Sequence, residues 1–449
     1  MTLRRLWPLG LLALALASTG CSGGRKNPPD ATVRVLNVAP SFSSLIYRRE
    51  QLTGNNPPTT LAYQGAGGDF PYDEDTYDFT VAVPDLTTAA LTKDADTFSH
   101  ALVAGTLYTF VYLESGGNVT HVILESPRIA SDTTNAQVRA LHADEGLPSV
   151  DVYLEAPGTV IAGATPWGTI GFKESLPQRA VPPGDYELAV TEAGNPANVL
   201  FTTQTFTLGA AGSTTLVLSP DAGEGIAPLN VVLLNAVGAT PLVDPSFPAS
   251  VRALNGATDQ APRDVAFDGQ FTPPLFAAAA FGAPTSYQPL ASGATLTVNV
   301  TPTGNPGVLE VTSSVVPVAA TVYTTFFTGD AGALNLLFVP DDRRRVLGQA
   351  KVTFYDAAPV STGAEPLFLA PGTDPATAPL TSTLLTPGGV QAMGLAPGTY
   401  ELWLRQYFTT TILGGPVTVS VDEKGLYGIF LSNNADGTTI DIKLIDGFP

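Results

Sequence analysis

One sequence pattern recurs four times along the chain of 449 residues. An apolar run followed by a turn begins at Val33, Val138, Val251 and Val352, so the starts lie 105, 113 and 101 residues apart. Domains commonly contain about 100–200 residues. The pattern therefore predicts four tandem domains built on one plan, which we number as the first to the fourth repeat.

A tyrosine marks a second shared position in three of the four repeats, and Thr295 takes this position in the third. Tyr186 and Tyr400 each lie 48 residues after the first valine of their repeat, within the sequence Pro-Gly-x-Tyr-Glu-Leu, and Tyr77 lies 44 residues after its own. The runs around these tyrosines are rich in Val, Thr, Leu, Phe and Tyr, and several of them alternate apolar with polar residues. Such runs, separated by Gly, Pro, Asp and Asn every ~8–12 residues, are typical of short β-strands.

The predicted fold class is all-β, with four tandem immunoglobulin-like antiparallel β-sandwich domains after a cleaved lipoprotein signal. The predicted boundaries are residues 32–130, 135–235, 249–341 and 348–449. Each repeat is expected to fold alone, since about 100 residues can bury a sufficient core. The alternative is a propeller with two blades per repeat, but blades recur at about 40–50 residues and no copy at half the repeat length is visible.

Residues 1–20 have the features of an export signal. Two arginines precede an apolar run over residues 6–17, which is shorter than the ~20 residues that a membrane-spanning helix needs. Small residues then lead to Cys21, in an order that resembles the lipobox of bacterial lipoproteins. The resemblance implies a lipidated Cys21, a tether over residues 21–31, and an exported protein anchored in the outer membrane, facing the periplasm or the surface. The alternative is cleavage after Ala17, which would release a soluble secreted protein.

The charge of the chain limits its partners. With 21 basic and 40 acidic residues, the formal net charge is −19. Such a field repels phosphate backbones, so nucleic acid is excluded as a partner, and it disfavours electrostatic docking on anionic lipid. Membrane attachment is therefore expected through the N-terminal lipid. The single cysteine allows neither an intramolecular disulfide nor a thiolate metal cluster, and no cofactor or metal is predicted.

The second repeat carries a recognisable set of motifs. Its runs Val138–Ala143, Pro148–Leu154 and Pro182–Tyr186 resemble the bacterial family called domain of unknown function 4397. The similarity covers residues 137–219 well and extends to the fourth repeat through Gly398–Tyr400, whereas the first and third repeats lack parts of the pattern. The resemblance implies an exported, often lipidated, tandem protein of sandwich domains, and it brings no catalytic residues.

A polar residue follows the first strand of each repeat: Asn37, His142, Asn255 and Asp356. Because this position accepts amide, imidazole and carboxylate alike, we predict that the side chain bonds to the backbone of a turn and has no catalytic role. The other histidines, His100 and His121, have no equivalents in the other repeats and are interpreted as strand or surface residues.

Three residues are candidate ligand contacts. Asp73 and Asp75 lie in the densest acidic stretch, which is a candidate calcium site because calcium takes six to eight oxygen ligands, although the spacing of an EF-hand is missing and a solvated turn is favoured. Trp167 is a candidate for stacking on a sugar, with packing at the rim of the core as the alternative.

Two other groups of charged residues are given structural interpretations. The carboxylates of Asp144, Glu145 and Asp151 are candidates for acid–base work, but pairs of carboxylates are common in an acidic chain. The run at residues 341–345 is interpreted as a solvated linker, or as a protease-sensitive hinge.

No catalytic residue is predicted, so the chain is expected to be non-enzymatic. We expect a cell-envelope lipoprotein that serves as a structural, adhesion or partner-binding module for an unknown envelope protein or glycan. The alternatives are a glycan-binding accessory protein of the envelope, or a hydrolase with an unrecognised site.

Overall fold

The computed structural model describes residues 31–49, 57–86, 91–128, 132–221, 226–380, 383–435 and 437–448. The predicted signal peptide, Cys21 and the tether up to residue 30 lie outside the described residues. Those that are described form 33 β-strands and one short 3-10 helix, Pro359–Ser361. They include no helix that is long and apolar enough to cross a membrane. The prediction of an all-β chain is confirmed.

Eight strands make up the first repeat: β1 (Ala31–Asn37), β2 (Ser44–Arg48), β3 (Thr59–Ala62), β4 (Ala66–Tyr72), β5 (Asp75–Pro84), β6 (Thr92–Leu102), β7 (Thr106–Ser115) and β8 (Asn118–Pro127). They form two four-stranded sheets with the orders β4-β1-β7-β8 and β3-β2-β5-β6. Successive side chains of a strand point to opposite faces. The inward-facing ones, including Tyr47, Phe79 and Phe110, pack together as a core.

Ten strands make up the second repeat: β9 (Ala136–His142), β10 (Val150–Glu155), β11 (Gly168–Ile170), β12 (Arg179–Val181), β13 (Gly184–Glu192), β14 (Asn195–Thr202), β15 (Phe206–Leu208), β16 (Ser213–Ser219), β17 (Asn230–Asn235) and β18 (Gly238–Leu242). One sheet has the order β12-β9-β16-β17-β18, and the other has the order β11-β10-β13-β14, with β15 also paired to β13. Leu242 of β18 is buried in the core of this repeat, although the sequence placed the end of the repeat at residue 235.

Eight strands make up the third repeat: β19 (Ala249–Ala257), β20 (Arg263–Phe267), β21 (Phe276–Ala279), β22 (Gln288–Leu290), β23 (Leu296–Pro302), β24 (Val311–Val315), β25 (Val322–Asp330) and β26 (Ala333–Pro340). Their sheets have the orders β22-β19-β25-β26 and β21-β20-β23-β24.

Seven strands make up the fourth repeat: β27 (Ala350–Asp356), β28 (Ala364–Leu369), β29 (Val390–Leu395), β30 (Gly398–Gln406), β31 (Ile412–Val421), β32 (Leu426–Asn433) and β33 (Ile440–Phe448). Their order is β28-β30-β31-β33-β32-β27-β29, and a single bridge between Gly414 and Ile440 joins β31 to β33.

The strand order differs in two ways from the predicted immunoglobulin-like antiparallel arrangement. The first strand of each repeat pairs in parallel with a later one, as β1 with β7, β9 with β16, β19 with β25 and β27 with β32. A parallel pair needs a long crossover, which the intervening strands supply. In addition, an immunoglobulin constant domain places its first, second, fourth and fifth strands in one sheet, whereas the first repeat places its first, fourth, seventh and eighth strands there. The sheets remain mainly antiparallel, and the purely antiparallel prediction is corrected.

Each sheet in the described ranges contains strands of one repeat only. Four separate apolar clusters accompany these sheets, one for each repeat. Each of these clusters collects side chains from across its repeat, so the described part of the chain has no propeller blades.

Two further apolar clusters lie between neighbouring repeats. The cluster between the first and second repeats contains Leu36, Val111, Leu141 and Leu234, and we name it the 1–2 interface. The cluster between the third and fourth repeats contains Leu254, Phe326, Tyr355 and Phe430, and we name it the 3–4 interface. The first strand of every repeat contributes to one of these clusters. The repeats are therefore packed in pairs, face to face, through the sheets that contain their first strands.

The tyrosines that mark the repeats in the sequence have one structural role. Each hydroxyl donates a hydrogen bond to the carbonyl four residues earlier: Tyr77 to Asp73 at 3.2 Å, Tyr186 to Pro182 at 2.8 Å, and Tyr400 to Ala396 at 2.9 Å. The bond ties each of these strands to the turn before it.

Candidate functional site

A cleft of about 380 Å³ opens where the third and fourth repeats and the segment between them meet. Its walls include residues of β19, β26, β27, β29 and β32, together with residues 341–344, and Ser43 of the first repeat completes the rim. Ligand pockets commonly have volumes of about 300–1,000 Å³ and often lie at domain junctions. The position and size of this cleft, which we name the junction cleft, make it the candidate binding site.

Arg252 joins the third repeat to the fourth at the base of the junction cleft. It follows a core residue on β19, so its side chain points away from the core of its own repeat. Its Nη1 lies 2.7 Å from Oδ2 of Asp446, its Nε donates to Oγ1 of Thr324 at 2.9 Å, and its Nη2 donates to the hydroxyl of Tyr355 at 3.2 Å. A Cβ on Gly428 would lie 2.8 Å from Asp446 Oδ2, so the glycine leaves room for this carboxylate.

Asp341 accepts hydrogen bonds from three hydroxyl groups on one side of the cleft. Its Oδ2 accepts hydrogen bonds from Tyr287 at 2.8 Å and Thr324 at 2.7 Å, and its Oδ1 accepts one from Tyr355 at 3.3 Å. Burial, together with the carboxylate of Asp341, raises the pKa of Tyr287 above its ordinary value and raises the pKa of Tyr355 to about 12. Both phenols therefore stay protonated at neutral pH and act as hydrogen-bond donors, and neither is suited to act as a base.

Asp342 holds two cations at the mouth of the cleft. Its Oδ2 lies 2.7 Å from Nζ of Lys351 and 2.8 Å from Nη2 of Arg344. Burial alone would raise the pKa of Asp342, but the hydrogen bonds and charges of these two cations outweigh it and lower the pKa to about 2. Burial lowers the pKa of Lys351 to about 8, against the attraction of Asp342. One carboxylate thus serves two cationic groups.

The segment after Asp342 is docked on the first repeat. The backbone N–H of Leu347 donates to the carbonyl of Ser41 at 2.7 Å, and Nη1 of Arg344 donates to the carbonyl of Phe42 at 3.3 Å. The guanidinium of Arg344 also lies 5.0 Å from the ring centre of Tyr63. The interpretation of residues 341–345 as a solvated linker is therefore wrong for the side chains of Asp341 and Arg344.

The candidate ligand contacts from the sequence lie apart from the junction cleft. Trp167 is half-buried against the core of the second repeat, and the guanidinium of Arg179 lies 4.2 Å from its ring centre. Asp73 and Asp75 are exposed, and Oδ1 of Asp75 accepts a hydrogen bond from the backbone N–H of Thr76 at 2.7 Å. Among the described residues, no group of three or more His, Cys, Asp or Glu side chains is placed to hold a metal ion. Ligand binding by these three residues stays a prediction.

The four polar residues predicted to follow the first strands lie at or near the ends of these strands, and they have the predicted role. It accepts a hydrogen bond from the backbone N–H two residues later: Asn37 from Ala39 at 2.9 Å, His142 from Asp144 at 3.3 Å, Asn255 from Ala257 at 2.9 Å, and Asp356 from Ala358 at 3.0 Å. The prediction of turn bonding is confirmed. Burial raises the pKa of Asp356, the one carboxylate among the four.

The three carboxylates that were candidates for acid–base work bond to separate elements. Asp144 accepts from Gly146 N–H at 2.9 Å, Glu145 from Gly116 N–H at 2.7 Å, and Asp151 from Gly194 N–H at 2.7 Å. His121 bonds to Asp96 at 2.6 Å, on the edge strands of the first repeat. The three carboxylates therefore cap turns and do not converge on one pocket.

Sequence reasoning missed the residues that build the junction cleft, above all Arg252, Tyr287 and Lys351. The one available signal was the charged run at residues 341–345, which is unusual in a chain with 14% charged residues. The run was visible, but its contacts come from three different repeats, which no local pattern indicates.

Comparison with known proteins gives one family match and several remote structural similarities. Residues 249–362 match the family model described as domain of unknown function 4397. This range covers the third repeat and the first strand of the fourth, whereas the motifs were clearest in the second repeat. No curated protein matches the chain.

Two solved structures are similar to part of the chain. The TIE protein of Bacillus anthracis is 11% identical with a TM-score of 0.16, over 87% of this chain and 68% of that one. A protein of Bacteroides fragilis, named for an inferred role in cell adhesion, is 10% identical with a TM-score of 0.14, over 69% of this chain and 97% of that one. At these scores neither similarity carries an argument about this chain. The family match is limited to residues 249–362, and it shows that this part of the chain is similar to the domain of unknown function 4397.

Proposed function

We propose that this protein is a non-enzymatic lipoprotein of the cell envelope that binds a partner at the junction cleft. It is anchored in the outer membrane by lipid on Cys21, and it consists of four tandem sandwich domains at residues 32–130, 135–242, 249–341 and 348–449. These domains are immunoglobulin-like in their two-layer architecture, though not in strand order.

The junction cleft is the observation that carries the proposal. Its walls are fixed by the ion pair of Arg252 with Asp446 and by the hydroxyls that bond to Asp341. A site that is ordered before its ligand arrives loses less conformational entropy on binding. Such a site suits the recognition of a partner. Its tyrosines stay protonated and can donate hydrogen bonds.

The alternative of a glycan-binding accessory protein has less support. It would draw on Trp167 for stacking, but this ring is half-buried beneath Arg179. The membrane and the unidentified partner therefore remain the two interactions that we propose.

Two experiments test the proposal. Replacing Cys21 by serine should move the protein from the membrane pellet to the soluble fraction, and continued pelleting would contradict the lipid anchor. For the cleft, the full chain should be cross-linked in native envelopes as wild type and as Thr353→Trp, which fills the cleft with a bulky ring. Thr418→Trp, at an exposed position of the same repeat, is the matched control. If wild type, Thr353→Trp and Thr418→Trp all capture the partner equally well, the partner binds outside the junction cleft.

A further inference from the structure

We propose that the junction cleft binds an oxyanion of the partner, a carboxylate or phosphate group, beside Lys351 and Arg344. This inference rests on the proposed function and names the chemistry of the ligand.

The charge of the cleft is opposite to that of the chain. The chain has 40 acidic and 21 basic residues. Four cationic side chains but only three carboxylates line the cleft: Arg252, Arg343, Arg344 and Lys351 against Asp341, Asp342 and Asp446. An anion thus meets attraction in this cleft, whereas most of the protein repels it, and at physiological salt the distant repulsion is screened beyond about 8 Å.

The excess positive charge lies next to Asp342. Oδ2 of this carboxylate lies 2.7 Å from Nζ of Lys351 and 2.8 Å from Nη2 of Arg344, and its Oδ1 accepts a hydrogen bond from Nε of Arg344 at 2.9 Å. The Asp342 side chain is 50% exposed, whereas Lys351 and Arg344 are 15% and 13% exposed. The two cations are therefore held inside the cleft wall, with the carboxylate on the solvent side. An oxyanion arriving from solvent can join Asp342 or replace it as their partner.

The two cations have complementary chemistry for this task. A guanidinium presents a planar fork of N–H donors that fits carboxylate and phosphate oxygens, while an ammonium adds a compact charge. Because both side chains are largely buried, their attraction for an anion is screened less than it would be at the surface. Arg252 is engaged by Asp446, Thr324 and Tyr355. It therefore holds the wall and is not part of the proposed anion contact.

Calorimetric titration of the full chain tests the inference. The probes are inorganic phosphate, an oligogalacturonate as a carboxylate source, and a neutral maltooligosaccharide. Wild type should bind one or both anions and not the neutral sugar. Lys351→Met should weaken anion binding by about tenfold or more, whereas Lys173→Met, which removes an exposed lysine of the second repeat, should leave it unchanged.

Asp342→Asn gives the result that a merely structural role would not produce. It removes the competing negative charge and leaves both cations in place, so anion binding should become several-fold tighter. Anion-dependent rises in the melting temperature provide a second reading on the same variants. The inference is overturned if neither anion binds at millimolar concentration, or if Asp342→Asn and Lys351→Met weaken binding alike. If both anions fail while Thr353→Trp still abolishes partner capture, the ligand class is wrong and the proposed function stands.

Discussion

Substitution of one buried leucine at the 1–2 interface can measure how much the first repeat stabilises the second. Leu234 is fully buried in this interface, and Leu218 is equally buried in the core of the second repeat. Replacing a buried leucine by alanine costs about 2–5 kcal/mol of unfolding free energy. Leu234→Ala should therefore cost this much in fragment 31–243, which holds both repeats. It should cost under about 1 kcal/mol in fragment 132–243, where water replaces the first repeat.

Urea unfolding followed by tryptophan fluorescence measures this difference. Trp167 is the one tryptophan in the sequence of both fragments, so the signal reports on the second repeat in each case. Leu218→Ala is the control and should lose about 2–5 kcal/mol in both fragments. Equal losses for Leu234→Ala in the two fragments would refute the reasoning, because the interface would then contribute nothing to the stability of the repeat.

The 1–2 interface also affects how stable the second repeat is when it is isolated from the first. The second repeat contributes Leu141, Val217, Val232 and Leu234, all fully buried there. Burying a valine or leucine stabilises a protein by about 1.5–3 kcal/mol, so the four together account for about 6–12 kcal/mol. Whole domains are stable by only about 5–15 kcal/mol. The isolated second repeat should therefore be less stable than the same repeat in fragment 31–243, and prone to associate through this face.

Single side chains provide three further tests. Asp356→Asn should raise the free energy of unfolding more near pH 7 than near pH 3, as thermal melts would show. Burial raises the folded-state pKa of this carboxyl, so its ionisation destabilises the fold as the pH rises. Lys351 should make the native chain more stable between pH 8 and 10.5, because burial lowers its folded-state pKa to about 8 from 10.5. Lys351→Met should lack this rise in urea titrations. Trypsin should spare the bonds after Arg343 and Arg344 in the native chain, since this segment is docked on the first repeat; early fragments that end there, seen by mass spectrometry, would indicate a hinge.

Local features of the repeats could be predicted because local geometry decides them. The polar residue near the end of each first strand accepts a hydrogen bond from an N–H only two residues away, so a short polar side chain fits, as Asn37 and Asp356 do. The alternation of apolar residues likewise predicts strands, because side chains alternate between the faces of a sheet. Neither pattern indicates whether a neighbouring strand is parallel or antiparallel. The parallel pairs of the first strands were missed for that reason.

The contacts between repeats could not be predicted, and three arginines show why. Arg34, Arg139 and Arg252 occupy the same position in the first strands of three repeats. Arg34 pairs with Asp69 of its own repeat at 2.7 Å, whereas Arg139 donates to the carbonyl of Glu125 in the first repeat. Arg252 pairs with a carboxylate of the fourth repeat. The same local sequence thus meets a different partner in each case, because the tertiary surroundings select it.

The ion pair of Arg252 with Asp446 helps to specify which repeats dock with each other. All four repeats present apolar residues on the sheet that contains the first strand, so apolar packing alone discriminates weakly between the correct neighbour and a wrong one. Against another repeat, the guanidinium of Arg252 would be buried without this carboxylate. A buried charge that has lost its partner costs about 3–5 kcal/mol, whereas a satisfied buried pair adds little net stability. The pair therefore acts mainly by penalising wrong docking, which is a specificity that a stronger apolar contact would not supply.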